Sequence, residues 1–243
     1  MTVDPTLPLF FKAPHPLERE RHGRLRLRTG ADTLGFARAS HVLPATLAEM
    51  AAAGRHYPLV FGPGVAPSLM AVVGLREGRN PFVDRAGGWR APFYVPAHVR
   101  RHPFVLMEAG GGQLVLCLDE AADTLSTEHG RPLYEAGRPS AVVRDMIELC
   151  RNYHVAHLAT TAFTAALAGR DLLVERRAEV TLNSGERLTV DGFRVVDAAR
   201  FEALPDPVVL DWRRRGWLAP VYYHLLSLEN WGALVDLDPG DEP

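Results

Sequence analysis

Arg100 and Arg101 stand side by side in "GGWRAPFYVPAHVRRHPF" (residues 87–104), between a proline turn and a Pro-Phe exit. A guanidinium beside the rings of Trp89 and Tyr94 suits recognition of a carboxylate or phosphate, and equally suits a partner-docking anchor. Pro96 can open a short helix, because its missing N–H would be unpaired at a first helical position anyway. Pro103 closes that helix after about one and a half turns. Successive helical residues point about 100° apart, so the two arginines cannot share one face. One is expected to turn inward and lock the turn against the sheet through a carboxylate or a backbone carbonyl cluster, with Asp84 or Asp119 as the candidate carboxylate. The other is left for solvent or a ligand. The candidate ligand- or partner-binding residues are therefore Trp89, Tyr94, Arg100 and Arg101, joined by His22 and Asp84.

A second chemical pattern is Cys150, His154 and His157, spaced i, i+4, i+7 in a helical stretch. That spacing puts three zinc-type ligands along one stripe. Three positions on one straight helix spread over about 10 Å, too far to meet one ion, so this is the weak alternative for a metal. A cysteine and a hydrogen-bonded histidine on an apolar stripe otherwise read as core. A scattered triad of His22, His98 and Asp84 has no spacing that singles it out. Nucleophile and phosphate motifs fare no better: no G-x-S-x-G occurs, Ser40 and His41 are adjacent, and "GPGVAPS" lacks the Lys-Ser/Thr of a phosphate loop. No cofactor is expected.

These residues need elements to hold them. "RLRLR" (24–28) alternates as a half-exposed strand, and Thr46 with Glu49 forms a capping-box pattern before an Ala-rich turn. "YPLVF" and "PSLMAVVGL" read as buried strands. "FVLMEA" and "QLVLCLDE" make a hairpin across Gly110–Gly112, and "AEVTLNSGERLTVDGFRVV" makes another, with Val180 and Leu182 facing Leu188 and Val190. Between them "STEHGRPLYEAGRPS" reads as loop. The helix expected from Ala141 to about Ala168 carries Val143, Ile147, Cys150, His154, His157 and Leu158 on its apolar face, and Gly169 stops it. Short aromatic-rich helices finish the chain, and "YYHLLSLENW" reads as core, with a partner face as the alternative. The expected class is α+β, a mainly antiparallel sheet with helices concentrated in the C-terminal half. One domain spans residues 1–243, with an extended Pro-rich arm (1–16) and a frayed tail (238–243).

The 243 residues carry a formal net charge of -2, and Lys12 is the single lysine among 27 basic residues. Without a basic excess, nucleic acid and anionic membrane are not the expected partners. Cys117 and Cys150 sit in apolar runs and read as buried free thiols. No window approaches the roughly 20 apolar residues of a membrane span. The amino terminus lacks the basic and long apolar regions of a secretory leader, so the expected location is cytoplasmic.

Several stretches in order then carry a resemblance. They are "RHYPLVFG", "AVVGLREGRNPFVDRAGGWRAPFYVPAHVRRHPF", "TTAFTAALAGRDLLV", "SGERLTVDGFRVVDAARFEALPD" and "RRGWLAPVYYHLLSLENWGAL". From about Phe11 to Leu237 the chain resembles the bacterial SapC family, departing at "RHPF", where the family pattern has an aromatic residue before Pro-Phe, and at "HVR", where it has a small or aromatic residue. The resemblance implies an accessory or binding protein tied to surface-layer or outer-surface protein export or assembly, with a protein or peptide as partner. It supplies no catalytic residues. The competing expectation is an enzyme, metal-dependent or acid–base, acting on a peptide or small metabolite through dispersed residues.

Overall fold

Glycine turns and β-branched runs set the order of elements in the computed structural model, which describes residues 7–30 and 32–238. Strand β1 (Pro14–Pro16), helix α1 (Arg19–His22) and β2 (Arg26–Leu27) lead to β3 (Val42–Pro44), α2 (Met50–Ala53), β4 (Leu59–Phe61) and β5 (Leu69–Val72). Helix α3 (Ala97–Arg100) precedes the hairpin of β6 (Phe104–Glu108) and β7 (Leu114–Asp119). Next come β8 (Leu125–Ser126), β9 (Arg131–Pro132), β10 (Tyr134–Glu135) and β11 (Arg138–Pro139), and then the long helix α4 (Ala141–Ala168). A second hairpin, β12 (Leu173–Thr181) and β13 (Arg187–Val196), is followed by α5 (Ala198–Glu202), α6 (Asp206–Arg215), α7 (Leu218–Ser227) and α8 (Trp231–Leu237). The class is α+β, with antiparallel sheets and most helix in the C-terminal half.

Two cores result. The larger lies on a five-stranded sheet in the order β12-β13-β4-β5-β3, where Tyr57, Leu59, Phe61 and Ala71 meet Phe163, Trp212 and Val221 from the helices. The smaller gathers Leu27, Phe104, Leu118 and Leu133 against Val142, Val143 and Cys150 of α4, beneath the sheet β1-β7-β6. The first half of α4 thus serves one core, while Phe163 and Leu167 of its second half serve the other. Between those halves the helix turns Cys150, Tyr153 and Thr160 toward the seam between the sheets.

Both hairpins form where expected. Gly110, Gly111 and Gly112 all have positive φ, the left-handed region that glycine enters without a Cβ clash. In the second hairpin Val180 does face Leu188, but Val190 faces Ala178 rather than Leu182, and a bulge falls between Arg176 and Ala178. That hairpin also begins earlier than its alternation suggests, because "LVERR" is largely exposed and carries no buried period.

Four expectations are corrected. The stretch read as loop contains β8 to β11, whose two-residue pairings are too short to show alternation. The N-terminal arm is not simply extended on the surface: Phe11 is buried, and Pro14–Pro16 pair with β7. On α4 the buried face holds Val143 and Cys150 but then follows Thr160, Phe163, Thr164 and Leu167, leaving His157 exposed and Leu158 56% exposed. A straight helix of 3.6-residue period rotates such a stripe past positions 157 and 158. Finally, Leu226, Tyr222 and Tyr223 of the aromatic terminal stretch are exposed, although His224 and Ser227 are fully buried. The expected arm residues 1–6 and tail residues 239–243 lie outside the described residues.

Candidate functional site

Pro96 and Pro103 bracket α3 as the sequence suggests, and the backbone N–H of Arg101 closes it on the Ala97 carbonyl. The two arginines then separate. Arg100 is exposed: its Nε donates to the Val95 carbonyl at 3.1 Å and its Nη2 to the Tyr94 hydroxyl at 3.0 Å. Arg101 points inward and is only 6% exposed. Its guanidinium is stacked against the Tyr153 ring, 4.1 Å from the centroid, and lies 5.2 Å from that of Phe11.

Neither expected carboxylate meets Arg101. Asp84 Oδ1 instead accepts from the Gly88 backbone N–H at 2.9 Å and shapes the turn before Trp89. Asp119 accepts from the backbone N–H groups of Ala13, Lys12 and Ala121 and lies 3.7 Å from His102 Nε2. Burial pushes the Asp119 carboxyl up, but the His102 contact and those three donors bring it down to about 2. Both carboxylates are consumed by backbone donors, which the sequence does not display.

Arg101 consequently has no ion-pair partner among the described residues, and its buried Nε has no hydrogen-bond acceptor. Among the described residues the one polar contact of the guanidinium is Nη2 with His98 Nδ1 at 3.3 Å. His98 Nε2 lies 2.9 Å from the Leu9 carbonyl, which can only accept, so that nitrogen carries the proton and Nδ1 is an acceptor. The Tyr153 hydroxyl is also within 3.2 Å of Nδ1. Burial first, and the Arg101 charge second, push the His98 ring down to about 3, so it is neutral at physiological pH.

These groups open onto a cavity of about 340 Å³ at the seam. Its walls come from Pro8 and Leu9 of the arm, the ends of β3 and β5, Val105 and Leu106 of β6, and one stripe of α4. Phe10 adopts a φ of 77°, and the Phe11 N–H donates to the Pro8 carbonyl. This turn directs the Leu9 carbonyl to His98 and the Phe11 ring to Arg101.

The stripe contains Cys150, His154 and His157, so these do line a common wall. No group of three His, Cys, Asp or Glu able to hold a metal ion occurs among the described residues. Burial pushes the Cys150 thiol up to about 11, and Sγ donates to the Phe104 carbonyl at 3.5 Å. The thiol therefore stays protonated, unlike a metal-ligating thiolate.

The remaining sequence candidates fall into separate networks. Trp89 Nε1 donates to the Tyr57 hydroxyl at 3.1 Å, and Tyr57 donates in turn to the Tyr94 carbonyl. Tyr94 donates to Glu49 Oε2 at 3.0 Å, and the same oxygen accepts from the Ala97 N–H at 2.8 Å. Glu49 Oε1 accepts from the Thr46 N–H, so the expected capping residue also fixes the start of α3. Burial pushes the Glu49 carboxyl up despite these donors. His22 is fully buried, with Nε2 on Glu120 Oε1 at 2.8 Å, and is not among the residues lining the cavity. Trp89, Tyr94, Arg100, Asp84 and His22 are thus tied into structural contacts, while Arg101 alone of the six reaches the cavity.

Tyr153 and the cavity's proline walls escaped the sequence reading. A usable signal was present: residues 95–107, "VPAHVRRHPFVLM", contain two arginines and no acid. No curated protein and no solved structure matches the chain. The SapC family model matches residues 17–234 of the 243, covering the cavity apart from its Pro8–Leu9 wall, and the chain belongs to that family.

Proposed function

We propose that this protein is a non-catalytic accessory protein that recognises an anionic group in the seam cavity, with Arg101 as the recognising residue. The observation that carries the reading is a guanidinium 6% exposed, without a carboxylate partner, with an acceptor-free Nε, beside a cavity of about 340 Å³. Burying an unpaired charge costs several kcal/mol, about, and such a group is retained where a ligand supplies the counter-charge. The groups that acid–base or nucleophilic chemistry would use are otherwise engaged: Glu49 holds three donors and Cys150 is protonated. Family membership supports a link to surface-layer or outer-surface protein export or assembly, the role the resemblance implies, and a cytoplasmic location is part of the same proposal. The single helix shared by both cores supports treating the chain as one unit.

The test compares thermal unfolding of the parent protein, Arg101→Met and Arg100→Ala in acetate, phosphate and sulfate at matched ionic strength. At least one anion is expected to raise Tm in the parent and in Arg100→Ala, but not in Arg101→Met. Equal responses in all three proteins, or none in any, would overturn the reading.

A further inference from the structure

Resting on the anion-recognition reading, we infer that the seam cavity takes a small monocarboxylate with an apolar body, its carboxylate on Arg101 and its body along α4. Charge sets the valence. Among the described residues Arg101 is the one arginine or lysine lining the cavity, and no aspartate or glutamate lines it. Burial and the neighbouring Arg101 charge push His98 down to about 3, so it adds no cation, and the same two causes push His157 down. A second negative charge would find no further arginine or lysine among the described lining residues.

Geometry sets the carboxylate. The Phe11 and Tyr153 ring centroids lie 5.2 and 4.1 Å from the guanidinium carbon, apolar contacts that satisfy none of its N–H groups. His98 Nδ1 has one lone pair in the ring plane and two donors in reach, Arg101 Nη2 at 3.3 Å and the Tyr153 hydroxyl at 3.2 Å. One donor is therefore always surplus. When Tyr153 satisfies the imidazole, Nη2 of Arg101 is released and joins the partnerless Nε as a donor pair for the two oxygens of a carboxylate. His98 is a positioning residue in this arrangement.

Volume and walls set the body. At about 340 Å³ the cavity lies near the small end of the ~300–1,000 Å³ range of small-molecule sites, too small for a long peptide. Beyond the arginine it is walled by Pro44, Ala45, Pro67 and Leu69. Facing these are Thr160, Thr161 and Thr164, whose hydroxyl protons go to the carbonyls of Ala156, His157 and Thr161. With those donors engaged, the three threonines have no hydroxyl proton left for a ligand, and Ser68 adds an exposed hydroxyl between Pro67 and Leu69. Thr161 is eight residues from Tyr153, about 12 Å along the helix axis.

Titration calorimetry of the whole protein with octanoate, 3-phenylpropanoate, acetate, succinate, phosphate and an acetylated tripeptide ending in leucine tests this. Octanoate or 3-phenylpropanoate is expected to bind at least about tenfold more tightly than the other four, and the binding is expected to vanish in Arg101→Met. Thr161→Phe, at the exposed edge of the cavity, is expected to weaken octanoate about tenfold and leave acetate unchanged. Tighter succinate, phosphate or tripeptide binding that still requires Arg101 would sink the monocarboxylate assignment while sparing anion recognition. Binding of no probe, with anion-insensitive melting, would remove both.

Discussion

Two buried histidines show how differently polar groups are used in this molecule. His224, on α7, is fully buried, as is Ser227 one turn on. Its Nε2 accepts from the Val196 N–H at 3.0 Å, and Nδ1 donates to the Leu59 carbonyl at 2.8 Å. Ser227 Oγ donates to the His224 carbonyl and accepts from the Leu59 N–H. Every polar atom of that pair has a partner, and the pair ties α7 to β4 and β13. His98 is comparably buried, but it has more donors than it can accept and a neighbour, Arg101, with an orphaned nitrogen. Full satisfaction marks a structural clamp; a surplus of buried donors beside a cavity marks a place kept for something else.

The sharpest way to break this contrast is His224→Leu. It orphans the Val196 N–H and the Leu59 carbonyl, each costing about 1–3 kcal/mol. A loss near 3–5 kcal/mol, or roughly 10 °C in Tm, is expected by thermal denaturation. A loss below about 1 kcal/mol would mean that the clamp is not one.

Acid probes both histidines together. Burial pushes His224 down to about 4 and His98 down to about 3, against an ordinary value of 6.5. The unfolded chain therefore binds more protons than the folded one between these values, so stability falls as pH drops below 6.5. Between pH 6.5 and 5 each histidine is expected to cost on the order of 1–2 kcal/mol, read from urea midpoints. His224→Leu should flatten part of that slope; an unchanged slope would remove His224 as its source.

The smallest effect has the opposite sign. Arg101→Met removes a buried charge without a carboxylate partner and keeps an apolar stem against Phe11 and Tyr153. The ligand-free protein is expected to gain about 1 kcal/mol, or roughly 2–4 °C in Tm. A loss as large as that of His224→Leu would make Arg101 a structural residue and erase the contrast.

Much of the fold was legible from local pattern. The Gly110–Gly112 and Asn183–Gly185 turns, the strands they join apart from the first residues of β12, and the limits of α4 follow from residues near one another in sequence. The site was legible only in part. The helical rotation between Arg100 and Arg101 is a local fact, and it correctly separates the two side chains. Their partners are not local: Asp119 is taken by backbone N–H groups more than 100 residues away, so no spacing rule could show it was engaged. The cavity likewise gathers Leu9, Ala45, Leu69, Val105 and Tyr153, unremarkable residues that form a wall only once two sheets meet. The Cys150, His154 and His157 stripe was visible from helical spacing: all three line the cavity, with Cys150 also packed into the smaller core.

Helix α4 joins its two ends to different cores over 28 residues. Melting either core strips one end of that helix of its packing, and an isolated half of about 14 residues is only marginally helical in water. The helix therefore works as a mechanical link: loosening at one end is felt at the other, and the denaturation of both halves is drawn into a shared cooperative event.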